Sequence, residues 1–298
     1  MCDHTPRIRR QSSMLMTTLI RLFLYVVACV LSIDTVCAQS SKVIDWVRNH
    51  EFDSLEKHFG TLQIRFEKGE LDEFALLDSY KAFYMQQDEL SDDLAKWVTE
   101  RPTSYVAWLA SGTYHRKLGE FKRGVETVGR TPRPALSYMD RMFSEASTEL
   151  NKAIPLAKNP YLAVLNLLNI ARYYDDSEAS DKYLAEANKL LPGNVLARAR
   201  YLDHLKPRWG GSYSAMTSFV DRCRTEGLPE KTVQVFSAMI EDDKGLTFEV
   251  SGNNAQASAS FRNALSIAAN ADRRLVEIYL SDSLDACKYG LVSGPPCP

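Results

Sequence analysis

The residues best suited to binding chemistry lie in one short segment, residues 205–212, which reads LKPRWGGS. Its lysine and arginine offer charge-assisted hydrogen bonds to a carboxylate or a glycan acid, and its tryptophan offers a large stacking face. Its two glycines free the backbone for positive φ and let another chain come close. The predicted binding residues are Lys206, Arg208, Trp209, Gly210, Gly211 and Ser212.

The same segment has a purely structural interpretation. A packed tryptophan can pin a turn whose serine, Ser212, caps the helix that follows, while the charged side chains stay in solvent. The sequence alone leaves both interpretations open, since a helical protein needs such turns whether or not it binds anything there.

No spacing of residues predicts catalysis, a metal or a cofactor. The sequence contains no GxSxG, P-loop or GxGxxG motif, and its histidines stand too far apart for a paired zinc site. Acidic residues cluster at 92–93, 175–176 and 241–243. Neighbouring residues on a helix point in different directions, so we expect solvated turns rather than an acid and a base facing one cleft.

A second basic group lies around Gly119 and on a later helix. In a stack of helical hairpins these side chains can line a groove that grips an acidic peptide, or they can form a solvated face. The chain carries 36 basic and 38 acidic residues, so it has no positive excess for nucleic acid, and a protein or peptide is the predicted partner. The basic residues are Arg116, Lys117, Lys122, Arg123, Arg198 and Arg200.

The first 38 residues predict export. Four arginines accompany the apolar run Leu22–Ile33, and a cleavage site with small or apolar residues at positions −3 and −1 ends at Ala38. A bilayer span needs about 20 apolar residues, so we predict a cleaved signal peptide and no membrane span in the mature chain. Lipidation at Cys29 is an alternative. The predicted location is periplasmic or secreted, or lipid-anchored at the envelope.

Three cysteines remain after cleavage. In an oxidising compartment two of them can pair, and a bond between Cys287 and Cys297 would staple the C-terminal tail to the last helix. Cys223 lies at helical spacing with Phe219 and Val220, so we expect it to be a buried apolar side chain.

From Ser41 onward the apolar residues recur at helical spacing, which predicts an all-α fold. The segment from Tyr161 to Tyr174 is apolar nearly all round, so we expect a helix buried between others. Two glycines are expected to interrupt helices, with one helix ending at Gly60 and two helices meeting at Gly119.

An internal echo indicates repeats. A Leu-Ala-Leu triad recurs after 34 residues, the tetratricopeptide period, and a similar triad appears 77 residues further on. We therefore predict stacked antiparallel helical hairpins, tetratricopeptide-like but degenerate. The predicted divisions are an N-terminal helical region at 39–130, hairpins at 131–286 and a tail at 287–298. The triads are Leu150, Ala153, Leu156; Leu184, Ala187, Leu190; and Phe261, Ala264, Ile267.

Two stretches carry a family resemblance. One runs from Arg101 through Trp108 and Gly112 to Gly124, and the other is the LKPRWGGS segment. Together they resemble an uncharacterised family of bacterial envelope proteins, a domain of unknown function with tetratricopeptide-like helices. The resemblance implies a helical fold and a location in the cell envelope. The 34-residue echo and the absence of catalytic spacing predict an exported module that binds a protein or peptide. The alternative function is an envelope hydrolase of cell-wall or glycan material, with a carboxylate pair assembled from separate helices.

Overall fold

The computed structural model describes residues 41–84, 90–124 and 129–297, and these residues form helices without any strand. The all-α prediction is confirmed, whereas the predicted signal peptide and Cys29 lie outside the described residues. Helix α1 spans 41–48. The others are α2 Phe52–Glu67, α3 Glu73–Ser79, α4 Ser91–Glu100, α5 Tyr105–Arg123, α6 Arg133–Ala153, α7 Tyr161–Tyr173, α8 Ser177–Leu190, α9 Leu196–His204, α10 Tyr213–Thr225, α11 Glu230–Val250, α12 Asn254–Ile267, α13 Arg273–Tyr279 and α14 Ser281–Lys288.

Successive helices pack against each other as neighbours, and the pairs α5 with α6 and α11 with α12 are the most extensive. Helices α5, α7 and α9 also pack side by side, and with α11 we call them the odd layer. Arg116 of α5 bonds to Asn166 of α7, and Arg123 lies over Tyr173, so these two helices run parallel. None of the described helices has the length and apolar character needed to cross a membrane.

Helix α7 lies at the centre of the molecule, as its sequence predicts. Every residue from Tyr161 to Ala171 is buried. A helix that is apolar on all sides must be covered on all sides, and here α5, α6, α8 and α9 supply that cover. The recurring triads lie in α6, α8 and α12, except that Leu156 ends the 3₁₀ helix after α6, and the three alanines Ala153, Ala187 and Ala264 are fully buried.

Helices α5 and α6 approach closely because α5 presents glycine at the contact. A Cβ added to Gly112 would lie 2.6 Å from Cγ of Leu150, and one added to Gly119 would lie 3.0 Å from Cδ1 of Phe143. Helix α5 therefore continues through Gly119, and the predicted break there is wrong. The helix end predicted at Gly60 is also wrong, because α2 runs on to Glu67.

Glu73 joins the N-terminal helices to the odd layer. Its carboxylate accepts hydrogen bonds from the backbone N–H groups of Val195, at 2.6 Å, and Leu196, at 3.2 Å, where α9 begins. It also accepts one from the Tyr161 hydroxyl. The first N–H groups of a helix have no partner within the helix, so α3 caps a helix 122 residues away in sequence. Burial raises the pKa of Glu73 despite these hydrogen bonds.

One C-terminal helix contacts the N-terminal region, and another is tied to the C-terminal tail by a disulfide. Arg274 of α13 reaches Asp72, the residue before α3, at 3.2 Å, and its guanidinium lies 4.6 Å from the ring centroid of Phe74. Cys287 and Cys297 form a disulfide that ties the tail to α14.

Cys223 is fully buried, and burial raises the pKa of its thiol to about 11.

The close approach of α5 and α6 predicts different outcomes for two helical glycines. We expect Gly112→Ala to lower the free energy of unfolding by about 1–3 kcal/mol, because the new methyl overlaps Leu150. Gly60→Ala, where a Cβ meets nothing within 4 Å, should raise it by up to about 1 kcal/mol. Urea unfolding followed by circular dichroism measures both. Equal midpoints for the Gly112 variant and wild type would contradict the packing.

Candidate functional site

The predicted binding segment, residues 205–212, connects α9 to α10 and contains a 3₁₀ helix at Pro207–Trp209. Gly210 has a φ of +88°, which other residues rarely adopt. A Cβ on Gly211 would lie 2.1 Å from the carbonyl oxygen of Leu205. The turn itself therefore requires both glycines.

The remaining four residues of the predicted site divide into a cap, an exposed ring and two paired cations. Ser212 accepts a hydrogen bond from the Ala215 N–H at 3.1 Å and caps α10. Trp209 keeps 46% of its surface exposed. Lys206 and Arg208 both form ion pairs with Asp243 of α11, whose side chain is only 1% exposed.

The acidic cluster at 241–243 was expected to be solvated, and this is wrong for Asp242 and Asp243, which are both buried. A buried carboxylate is stable only with charged or hydrogen-bonding partners, and the fold supplies them from distant segments. Asp243 forms ion pairs with Lys206 and Arg208. Asp242 accepts a hydrogen bond of 2.8 Å from the Ser283 N–H in the first turn of α14.

The odd layer carries a second arrangement of charges that continues from this loop. On α5, Arg116 and Lys117 both form ion pairs with Glu120, and Arg116 also donates to Oδ1 of Asn166 at 2.6 Å. On α9, the carboxylate of Asp203 lies 3.7 Å from Arg200. The same carboxylate lies 3.8 Å from Arg172 of α7 and 2.7 Å from Lys206, so it serves three cations.

We call this arrangement the cation cluster. It comprises six cations that share three carboxylates, so within these ion pairs the cations outnumber the acids. Its cations are Arg116, Lys117, Arg172, Arg200, Lys206 and Arg208, and its carboxylates are Glu120, Asp203 and Asp243.

The pKa shifts within the cation cluster agree with an excess of positive charge. Burial opposes ionisation of Glu120, yet the charges of Arg116 and Lys117 outweigh it and hold the pKa below its ordinary value. Burial lowers the pKa of Lys117, and repulsion by Arg116 and Arg200 adds to the effect. The charges on α5 and on α9 are therefore close enough to act on each other.

Aromatic rings border the cation cluster. The ammonium of Lys117 lies 4.6 Å from the ring centroid of Tyr84, and the guanidinium of Arg172 lies 5.4 Å from that of Tyr173. Burial raises the pKa of Tyr84, Tyr173 and Tyr279. These phenols stay neutral and can donate hydrogen bonds to an anion.

Sequence patterns found only part of this cluster. Of the basic residues predicted to line a groove, the structure gathers Arg116, Lys117 and Arg200. Arg198 instead pairs with Glu226 of α10 at 2.9 Å, and Lys122 lies 5.8 Å from the ring of Tyr138. Arg172, Asp203 and Asp243 are missing from the prediction, because a single charge within a helical pattern gives no local signal.

The described residues include no group of three or more histidine, cysteine or acidic side chains that could hold a metal ion. No protein-family model, curated protein or solved structure matches the chain. Its functional interpretation therefore depends on its own geometry.

The buried position of Asp242 predicts a specific pH dependence. Burial raises its pKa to about 6, against an ordinary value of 3.8. The folded state thus holds this proton more tightly than the unfolded state, and the stability gained below pH 4 is lost as the pH rises through 6. Asp242→Asn removes the titration, so between pH 4 and pH 7.5 wild type should lose up to about 3 kcal/mol more than the variant.

Urea unfolding at a series of pH values measures this difference. Asp285→Asn is the matched control, since Asp285 is exposed on α14, and its profile should follow wild type. If the Asp242 variant loses stability in parallel with wild type over this range, the role given to the buried carboxylate is wrong.

Proposed function

We propose that this protein is an exported interaction module that binds an acidic segment of another protein at the cation cluster. The observation that carries the proposal is that the ion pairs of six cations, which come from three helices and the loop after α9, fall on only three carboxylates. An acidic ligand supplies the missing negative charge, and charge complementarity of this kind determines partner choice and association rate.

The charge of the whole chain supports a local site rather than a general affinity for anions. Without residues 1–38 the chain has 32 basic and 36 acidic residues, because the leader contains four basic and two acidic ones. The chain without its leader is therefore mildly acidic as a whole, which disfavours nucleic acid or an extended anionic surface as the ligand. Stacked helices offer grooves that accept peptide segments.

The exported location and the envelope family are proposals that rest on sequence. The leader and the LKPRWGGS segment support them. A module outside the cytoplasm is also consistent with the disulfide between Cys287 and Cys297, since such bonds persist in oxidising compartments. The hydrolase alternative gains no support from the cation cluster. Glycoside hydrolysis uses a protonated carboxyl group, whereas each carboxylate of the cluster is paired with two or more cations.

A test uses fluorescent 12-residue peptides that are acidic, or neutral through replacement of Asp and Glu by Asn and Gln. We expect wild type to bind the acidic peptide at least tenfold more tightly, with an affinity that falls as salt rises. Lys117→Gln and Arg200→Gln should each weaken binding about five- to tenfold, as each removes a charge-assisted contact. Fluorescence anisotropy measures the affinities.

Lys189→Gln provides a control with the same change in net charge, since the Lys189 side chain is 79% exposed on α8. It should bind as wild type does. Circular dichroism confirms that each variant is folded. Equal affinity for both peptides, or full binding by the Lys117 and Arg200 variants, would rule out the proposed site.

A further inference from the structure

An open groove along α6 offers a binding chemistry different from that of the cation cluster. It has a volume of about 420 Å³ and is formed by α6 together with Tyr174, the residue after α7. This volume falls in the range of small-molecule sites, which is about 300–1,000 Å³. The residues that line the groove are Asp140, Phe143, Ser144, Ser147, Thr148, Asn151 and Tyr174.

Polar side chains form one wall of the groove. Asp140, Ser144, Ser147 and Asn151 recur at helical spacing, so they share one face of α6 over about 16 Å. The Asn151 Nδ2 donates to the Ser147 carbonyl at 2.7 Å, and the Thr148 hydroxyl donates to the Ser144 carbonyl at 3.0 Å. These bonds hold both side chains in place, and their oxygens can still accept hydrogen bonds from a ligand.

Tyr174 supplies the apolar surface of the groove, and its ring is held at two points. Its hydroxyl donates to Oδ1 of Asp140 at 3.1 Å. Its ring centroid lies 5.9 Å from that of the buried Phe143, with the two ring planes at 86°. Tyr174 nevertheless keeps 48% of its surface exposed. A ring held in this way loses little conformational entropy when a ligand covers it.

The charge of the groove favours a neutral ligand. Of the described residues that line it, only Asp140 is charged. This carboxylate repels an acidic ligand, and a single ion pair at an exposed site contributes little to the binding of a cation. The bond to Tyr174 uses Oδ1 of Asp140, so Oδ2 can accept hydrogen bonds from neutral hydroxyl groups.

We propose that this groove binds a neutral saccharide. A sugar ring has an apolar C–H face, which can pack on the Tyr174 ring, and hydroxyl groups around its edge. These hydroxyl groups both donate and accept hydrogen bonds, as the serine, threonine and asparagine side chains of the wall also do. None of the described residues that line the groove belongs to the cation cluster, so this proposal goes beyond the proposed function and does not depend on it.

The test measures the binding of four neutral trisaccharides, built from glucose, galactose, mannose or N-acetylglucosamine, by NMR chemical-shift titration. At least one of them should bind wild type with a Kd of about 1 mM or tighter. The trimer of galacturonic acid should bind about tenfold more weakly than the best neutral sugar, because its carboxylates are repelled by Asp140.

Variants then locate the bound sugar. Tyr174→Ala should weaken binding of the best trisaccharide about tenfold, because it removes the packing surface, whereas Tyr174→Phe should stay within about threefold of wild type. Asn151→Ala removes an exposed side chain of the wall and should weaken binding about three- to tenfold. Tyr289→Ala is the control with unchanged binding, because Tyr289 is 74% exposed after α14.

The outcomes separate this proposal from the one before it. If no neutral trisaccharide binds, or if both Tyr174→Ala and Asn151→Ala bind the sugar as wild type does, the saccharide site is wrong. Tighter binding of the galacturonic acid trimer would overturn the neutral ligand. A saturating acidic peptide should leave the sugar affinity unchanged, so either proposal can fail while the other stands. Circular dichroism verifies that each variant is folded.

Discussion

A carboxylate that leaves water must find donors or cations, and the irregular parts of this fold are fixed by carboxylates that meet this requirement. Glu73 brings α3 to the start of α9, Asp242 holds the first turn of α14, and Asp243 holds the loop between α9 and α10. Apolar faces stack helical hairpins in a general way. The buried acids define where particular segments lie, because the donors or cations that satisfy each acid are found at one place only.

The cation cluster follows from the same requirement. Each of the three carboxylates in the cation cluster forms ion pairs with two or more cations, so the acids are satisfied while the cations outnumber them. Arginine suits this arrangement because its planar group bonds to several acceptors and stays charged when half-buried. The cation cluster is thus linked to the way the helices are held together.

The sequence predicted those features that depend on local periodicity. The helical content and the buried helix α7 could be predicted because apolar residues repeat with the helix, and the alanines of the recurring triads are fully buried. The breaks expected at Gly60 and Gly119 were wrong, because a glycine need not end a helix: Gly119 lies at a close contact with α6, and Gly60 lies within α2 with no neighbour within 4 Å. For Gly119, only the position of α6 in the folded protein shows that the glycine marks a close contact and does not end a helix.

The candidate site shows the same limit for charged residues. The composition of residues 205–212 indicated a turn and an exposed tryptophan, but the partner of Lys206 and Arg208 lies more than thirty residues away on α11. Likewise Arg172 and Asp203 have no sequence pattern in common. Long-range ion pairs have no periodicity, so they are not predictable from one sequence, and the cluster emerged only from the fold.

The contacts of Asp72 with Arg274 and of Glu73 with the start of α9 tie the beginning of the chain to its middle and end. An open solenoid can gain or lose a repeat, because each unit touches only its neighbours. Here the insertion or deletion of a hairpin between α3 and α13 would move the residues of these contacts away from their partners. The fold is therefore expected to unfold as one cooperative unit, and its length is constrained in evolution in a way that the length of an open array is not.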